Sequence, residues 1–338
     1  MATKIKFDLQ RFATIGTAVT LQDFAKRLDE NGKIDKIVEM LTQTNEILDD
    51  MTWIEGNLPT GHKTTIRSGL PTVAWRLLNY GVPNSKSATT QVTDTCGMLE
   101  AYAEVDKVLA DLNGNTAAFR VSEDRAFLES MNQEMAKTLF YGNTSVNPER
   151  FVGLTPRYSS LSADNGGNIL SAGGSTNLTS MWLVCWSDLT AHGIFPKGSK
   201  AGFQHQDLGE VTLFDANNNK YQGYRTHYKW DCGFTLRDWR YVVRIANIDT
   251  AALTKDAKTG ADLIDLMQQA VELLPNQRIG RPVWYCNQKI KSFLRRQIFN
   301  KSIYSITQEQ VAGKSVTMFD GIPVRRVDQI LNTETAVS

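Results

Sequence analysis

The sequence predicts an α+β fold, and three observations support that prediction. A long amphipathic helix occupies residues 122–141, strand-like runs punctuated by Gly, Pro or Asn surround it, and the last third alternates helix with strand. The chain of 338 residues exceeds one average domain and can bury a sizeable core. No apolar run approaches the roughly eighteen residues of a membrane-spanning helix, and the N-terminus has no signal-peptide core. We therefore expect a protein made and kept in the cytoplasm.

The helix 122–141 has predicted signals at both ends and an apolar face. Ser122 is placed to cap its first turn, and Gly142 is placed to adopt the left-handed conformation that ends many helices. The predicted apolar face recurs at three- and four-residue steps and consists of Phe127, Leu128, Met131, Met135 and Leu139. At 1.5 Å per residue, this helix is roughly 30 Å long.

The N-terminal 54 residues differ from the rest of the chain. Residues 1–20 carry basic residues and two phenylalanines but no helix start, which is typical of an extended arm. A capping-box-like start at Thr20 predicts a short helix to about Asp29. A second predicted helix follows Gly32, with its apolar stripe formed by Ile34, Ile37, Val38, Leu41, Ile47 and Leu48.

Residues 55–92 predict a β-hairpin. Two strand-like runs, 62–67 and 72–80, lie among repeated Gly and Pro residues. Because a two-stranded hairpin alone is marginal in water, this one needs another surface, either in its own domain or elsewhere. The following segment, 97–112, fits strand spacing and helix spacing equally well, so its type stays open.

The rest of the chain predicts a strand-rich block and then a mixed block. The predicted elements are a long surface loop at 158–177, strands at 181–186, 210–214, 221–230 and 234–248, and hairpin turns at 216–220 and 231–233. In the last third they are a helix at 261–274, a strand at 281–286, a helix 287–299 capped by Asn287, and a final run at 321–331.

Charge is segregated along the chain although the net charge is only +1. Residues 276–326 contain ten basic residues against Glu309 and Asp320, a net of +8, whereas residues 29–56 contain eight acids against Lys33 and Lys36, a net of −6. Three interpretations remain open: solvated faces, contacts between neighbouring copies, or weak and non-specific contact with DNA.

None of the candidate motifs in the sequence predicts a catalytic, cofactor-binding or metal site. The segment GIFPKGSK at 193–200 inverts the Gly-Lys-Ser order that a phosphate-binding loop requires. The four histidines lack ligand spacing, and no GxSxG motif places a nucleophile. Acidic pairs such as Asp106 with Asp111 and Asp262 with Asp265 fit solvated faces better than acid–base work. Four scattered cysteines without a CxxC motif predict buried thiols.

Six stretches resemble one known family. MNQEMAKTLFYGN at 131–143, followed by FVGL at 151–154, closely resembles the spine helix of tailed-phage major capsid proteins with the HK97-like fold. The podophage-type subgroup of that family is similar at five further stretches, 28–51, 55–79, 194–211, 227–249 and 279–297, so the resemblance covers most of the chain. None of these stretches is a catalytic signature, so the resemblance concerns lineage and fold.

The resemblance implies four parts of the HK97-like fold. These are an N-terminal arm at 1–54, an extended hairpin called the E-loop at 55–95, a peripheral domain at 96–249 with its spine helix at 122–141, and an axial domain at 250–338. In most family members the axial block directly follows the spine helix. Here the strand-rich block comes first, which implies a rearranged order of the same architecture.

The resemblance also implies a function. A major capsid protein self-assembles into hexamers and pentamers that close an icosahedral head around double-stranded DNA, which places the chain in the virion capsid and makes it no enzyme. The implied partners are other copies, portal and scaffold proteins, and a decoration protein, together with weak DNA contact, no cofactor and no membrane. The contact candidates are Phe7, Phe12, Arg67, Trp75, Arg76, Arg295 and Arg296. An encapsulin-like nanocompartment is the alternative, and an unrecognised cytosolic enzyme is a remote one.

Overall fold

A computed structural model describes residues 43–338 apart from 115, 216, 255–259, 301–307 and 312–313. Residues 1–42 of the predicted arm, which include Phe7 and Phe12 and most of the two predicted helices, lie outside the described residues. Of the second predicted helix, Ile47 and Leu48 are described and lie in a short helix at Ile47–Asp50. The described helices are α1 Ile47–Asp50, α2 Lys107–Ala110, α3 Thr116–Tyr141, α4 Leu154–Arg157, α5 Leu263–Glu272 and α6 Gln288–Asn300. Short 3₁₀ turns occur at Leu112–Gly114, Gly166–Asn168, Trp239–Tyr241 and Gln277–Ile279.

Strands occur through the rest of the described chain. They are β1 Trp53–Glu55, β2 Gly61–Gly69, β3 Ala88–Asp106, β4 Ile169–Ser171, β5 Leu178–Trp186, β6 Ala191–Phe195, β7 Gln204–Phe214, β8 Lys220–Leu236, β9 Val242–Asp249, β10 Arg281–Cys286, β11 Gln308–Val311, β12 Lys314–Phe319 and β13 Ile322–Arg326. The described residues thus combine helices with a mostly antiparallel sheet, as in an α+β fold.

The chain divides into two compact units. The described part of unit 1 comprises residues 99–132 and 203–230, and that of unit 2 comprises 43–98, 133–202 and 231–338. In unit 1, β7 and β8 form a long antiparallel hairpin whose register shifts between Asp207 and Gly209. Ala103 of β3, Met131 of α3 and Tyr228 of β8 form an apolar cluster there.

Unit 2 is organised around β5, all nine residues of which are buried. This strand pairs antiparallel with β9 on one side and β10 on the other, and β10 pairs parallel with β13. A continuous apolar run such as MWLVCW is what a strand covered on both faces requires. The predicted strand 181–186 is therefore confirmed as part of β5, and the predicted strand 281–286 is β10.

The core of unit 2 lies between these strands and helices α5 and α6. It includes Met181, Leu183, Val243 and Ile245 from the strands and Leu263, Met267, Ile290 and Leu294 from the helices. Each such fully buried side chain contributes about 2 kcal/mol. The predicted cap of α6 is confirmed, since the Asn287 side chain accepts a hydrogen bond from Ile290 N at 2.9 Å.

The long helix differs from its prediction at both ends. It begins at Thr116 rather than Ser122, because Ala117 and Ala118 favour helix and Phe119 is fully buried. Ser122 therefore lies inside α3 and does not cap it. The predicted apolar face is confirmed except for Leu128, which is 40% exposed. The buried and half-buried positions follow a four-residue step through 119, 123, 127, 131, 135 and 139.

Gly142 ends α3 for a different reason from the predicted one. Its φ is not positive, so it does not adopt the left-handed conformation. Instead, a Cβ at this position would lie 2.3 Å from Phe151 O and 2.6 Å from Thr138 O. Since real Cβ atoms do not approach backbone oxygens so closely, the close packing of residues 151–153 on the helix end requires glycine here.

The strand-rich block confirms most predicted elements and corrects three. The predicted strands 210–214 and 221–230 lie within β7 and β8, and between them Asp215 N donates to Asn219 O. The predicted turn 231–233 is wrong, because β8 continues through it and Gly233 packs against Thr95 O. The predicted strand 234–248 is interrupted by the 3₁₀ turn at Trp239–Tyr241, and the predicted loop 158–177 contains β4, paired with β9. The open segment 97–112 is the end of β3 followed by α2.

Candidate assembly surface

The candidate functional surface is the hairpin formed by β2 and β3 and the loop between them. The strands pair antiparallel from Gly61 with Thr95 to Arg67 with Thr89. Their facing residues include Thr64, Ile66 and Val92, whose β-branched side chains favour a pleated strand. The first predicted strand, 62–67, is confirmed.

The hairpin tip, defined as residues 70–87, corrects the second predicted strand. The run 72–80 has no strand, and the chain returns along Ala88–Asp106 instead. Proline at 71 and 83 removes two backbone donors, and Asn79, at φ 66°, turns the chain where Tyr80 N donates to Leu77 O. Alternating apolar residues therefore predicted a strand where the structure has an open loop.

The tip exposes seven large apolar side chains, with Trp75 fully in solvent. They are Leu70, Val73, Trp75, Leu77, Leu78, Tyr80 and Val82. Residues 56–93 also contain four basic and no acidic residues, namely Lys63, Arg67, Arg76 and Lys86. A cluster of large exposed apolar residues on one loop of a protein indicates an interaction surface. The charges here suit an acidic surface.

Close backbone packing holds the base of the hairpin. A Cβ on Gly61 would lie 2.1 Å from Asp94 O, so only glycine fits opposite that strand. Asp94 is 6% exposed and binds Arg157 Nη2 at 2.7 Å, and the Arg157 guanidinium lies over the Phe234 ring at 5.6 Å. This buried pair ties β3 to the short helix α4.

Two histidines and an arginine lie at the same base. Arg237 Nη2 donates to His62 Nε2 at 2.9 Å, and the His62 and His192 rings meet edge to face at 6.0 Å. Burial and then the Arg237 charge lower the pKa of His62. The same two causes, in that order, lower the pKa of His192 to about 4. Both imidazoles are therefore neutral at pH 7, next to one fixed positive charge.

The predicted contact residues fall on two separate surfaces. Arg67, Trp75 and Arg76 lie on the hairpin and are exposed, as predicted for contact residues. Arg295 and Arg296 lie on α6, where the Arg295 guanidinium donates to Thr317 Oγ1 at 3.0 Å and Arg296 lies over the Phe293 ring at 4.0 Å. Their roles in contacts stay a prediction.

Some residues of the acidic segment form ion pairs with residues of the basic segment within the chain. Arg281 and Arg325 bind the Asp50 carboxylate at 3.0 Å and 3.4 Å, and Arg325 also binds Glu46. Tyr285 donates to the same carboxylate at 3.1 Å. Burial nevertheless raises the pKa of Asp50 above its usual value. The acidic and basic segments therefore meet inside unit 2, an arrangement the sequence reading had not considered.

Sequence reasoning missed the residues at the hairpin base. It named neither Asp94 nor its partner Arg157, nor the Arg237 contact with His62. One signal was available, because Asp94 is the first acidic residue after the acid-free stretch 56–93. Nothing in the sequence pairs it with a residue 63 positions later.

The described residues do not support the phosphate-binding or metal-binding motifs considered from the sequence. Among the described residues, no three His, Cys, Asp or Glu side chains are arranged to hold a metal ion. In the loop that mimics a phosphate site, Gly198 N donates to the Glu55 carboxylate, a group that would repel phosphate. Cys185, Cys232 and Cys286 are buried as predicted, and Cys96 is partly exposed. None of the helices described is long and apolar enough to cross a membrane.

Comparison with known proteins identifies the class. The sequence profile of the family "Major capsid protein GP7" matches residues 29–338. A chain in the near-atomic structure of bacteriophage Epsilon15 is 39% identical, with a TM-score of 0.77 over 96% of this chain and 99% of that one. The bacteriophage JBD30 capsid is 10% identical, with a TM-score of 0.48 over 86% and 92%. The comparison with curated proteins gave no match.

The fold is therefore that of the HK97-like shell proteins of tailed phages. The chain belongs to the GP7 family of major capsid proteins. It is a structural subunit of the virion capsid, and repeated copies form the hexamers and pentamers of the icosahedral head shell.

Proposed function

We propose that the hairpin tip is the main contact by which each subunit holds its neighbours in the shell. The observation that carries this proposal is the run of seven exposed apolar side chains from Leu70 to Val82. Aromatic residues such as Trp75 bury large areas at little conformational cost, which makes them frequent anchors of interfaces. The basic residues Arg67 and Arg76 flank that anchor and select an acidic partner surface.

Two further contacts complete the proposed assembly. The N-terminal arm, with Phe7 and Phe12, extends along neighbouring subunits, and α6 presents Arg295 and Arg296 near the capsomer centre. Each contact is modest alone. Because every subunit makes all of them at once, multivalency makes the closed shell stable.

The subunit also has partners beyond its own copies. We assign it a mechanical role without a catalytic step, alongside portal and scaffold proteins and a decoration protein. Packaged double-stranded DNA makes weak, salt-dependent contacts with exposed basic residues such as Lys289 and Arg296. Nuclease-resistant DNA inside purified particles is the result we expect from this assignment. An enzyme cargo in its place would favour the encapsulin-like alternative.

The test replaces the apolar anchor and a matched exposed residue. Trp75→Ser removes the tip anchor, whereas Leu189→Ser changes an exposed leucine in a turn outside the hairpin. We expect Trp75→Ser to yield folded subunits or capsomers without closed shells by electron microscopy and sedimentation. Leu189→Ser should form shells at the unsubstituted yield. Closed shells of Trp75→Ser at that same yield would overturn the proposal.

A further inference from the structure

The last described residues cross unit 2 as an extended strap, defined here as residues 330–338. Thr179 Oγ1 donates to Leu331 O at 2.6 Å, and Glu334 forms a single β-bridge with Leu178. The Asn247 side chain pairs reciprocally with the Val337 backbone, donating to its oxygen at 2.9 Å and accepting from its nitrogen at 2.8 Å. Side chains of β5 and β9 therefore hold the middle and the end of the strap, and the Asn287 side chain donates to Ile330 O and Asn332 Oδ1 at its start.

Glu334 is the most deeply placed charge of the strap, with its side chain 4% exposed. It binds Arg244 Nη2 at 2.9 Å and accepts hydrogen bonds from the hydroxyl groups of Ser180 and Tyr141. Tyr141 is the last residue of α3, and its hydroxyl also accepts from Leu331 N at 2.9 Å. One carboxylate thus joins the strap, a central strand and the end of the long helix.

Arg244 depends on the strap for its countercharge. It lies in β9, which pairs with β4 and β5, and its side chain is 2% exposed. Its other contacts are neutral: Ser180 Oγ at 3.0 Å, Tyr158 O at 2.6 Å and the Trp182 ring at 5.1 Å. Glu334 is the only carboxylate bound to Arg244 among the ion pairs of the described residues. Without the strap, a guanidinium would remain inside the sheet with no countercharge, which is strongly unfavourable.

We propose that the strap 330–338 is a conformational latch that fixes the last turn of α3 to the unit 2 sheet, with Glu334 as the group that holds it closed. The latch closes after the sheet has formed, because its partners come from β5, β9 and α3. The closed strap shields Arg244 and holds Tyr141. The open strap leaves the last helical turn without that anchor.

Hydrogen exchange of the full chain tests the latch. Glu334→Gln keeps the shape but removes the charge, and Thr335→Ala changes the exposed neighbouring residue as a matched control. We expect Glu334→Gln to accelerate exchange at least about tenfold in residues 137–141 and 330–338 and to leave the hairpin 61–95 unchanged. Loss of a buried countercharge lowers the equilibrium constant for closing by up to about a thousandfold. Thr335→Ala should exchange like the unsubstituted chain.

A milder variant keeps the test decisive if Glu334→Gln does not fold. Tyr141→Phe removes the hydrogen bond to Glu334 and the one from Leu331 N, and it keeps the ring. It should accelerate exchange in the same two segments by about three- to tenfold. Unchanged exchange at 137–141 in Tyr141→Phe, or equal acceleration across all of unit 2 in either variant, would show that the strap does not act as a latch.

Discussion

The base and the tip of the hairpin differ in where their side chains find partners. At the base, Asp94, Arg157, His62 and Arg237 bind one another in nearly dry surroundings. At the tip, Trp75 and its neighbours face solvent. The difference teaches that the subunit's own folding determines the base, whereas the tip is suited to a surface on another molecule.

The largest expected effect comes from breaking the buried pair at the base. Arg157→Met leaves the Asp94 carboxylate buried without its partner, so we expect the free energy of unfolding to fall by about 3 kcal/mol. Urea unfolding of the full chain measures this loss. Arg240→Met is the control, because Arg240 is 56% exposed where it binds Asp238 and should lose less than about 1 kcal/mol. Equal losses of unfolding free energy in the two variants would contradict the expected difference between buried and exposed ion pairs.

Lowering the pH should destabilise the folded chain through His192 at the base of the hairpin. The folded chain keeps His192 neutral with a pKa of about 4, below the unfolded value of 6.5, so between these values the unfolded chain binds more protons. Stability is therefore complete above pH 6.5 and is lost as the pH falls towards 4, by about 3 kcal/mol. The charged and titratable groups that act on His192 are Arg237, His62 and Asp188. His192→Gln should flatten the dependence of the urea midpoint over this range, and an unchanged slope would contradict the assignment.

Adding one methyl group should destabilise the chain at the base of the hairpin and not at its tip. Gly61→Ala places a Cβ against Asp94 O and should destabilise the chain by about 2 kcal/mol. Gly81→Ala makes the same change at the tip, where nothing lies within 4 Å, and should stay within about 0.5 kcal/mol. Thermal unfolding of both variants provides the comparison. A similar loss at Gly81 would mean that the tip packs within the subunit.

The smallest expected effect on stability belongs to the tip anchor itself. Trp75→Ser removes a side chain that buries nothing within the subunit, so its urea midpoint should match the unsubstituted chain within about 0.5 kcal/mol. The same variant should fail to close shells. A drop above about 1 kcal/mol would attribute its assembly defect to folding instead of to a lost contact.

The sequence predicted correctly those elements whose signals come from residues close together in the chain. Strand β10 and the Asn287 cap were predicted at their observed positions, because an apolar run and a capping side chain are local signals. The start of α3 was predicted six residues too late, because Ser122 offered a stronger cap signal than the burial of Phe119, which depends on distant strands.

Signals failed where the partner is remote in sequence. The alternation at 72–80 is that of a strand, but no strand among the described residues pairs with this run. The pairs of Asp94 with Arg157 and of Glu334 with Arg244 span 63 and 90 positions, and no local pattern encodes them. Family resemblance predicted the hairpin as a contact element, and composition alone did not.

The absence of acidic residues from 56–93 has a consequence for the rate of assembly. Approaching hairpins carry the same sign of charge, so they repel each other at low ionic strength and are drawn towards acidic surfaces instead. At physiological salt the screening length is about 8 Å, so this steering acts only over the last few ångströms of approach. Dilute buffer should therefore favour correct over mismatched encounters, and concentrated salt should trade that selectivity for faster hydrophobic association.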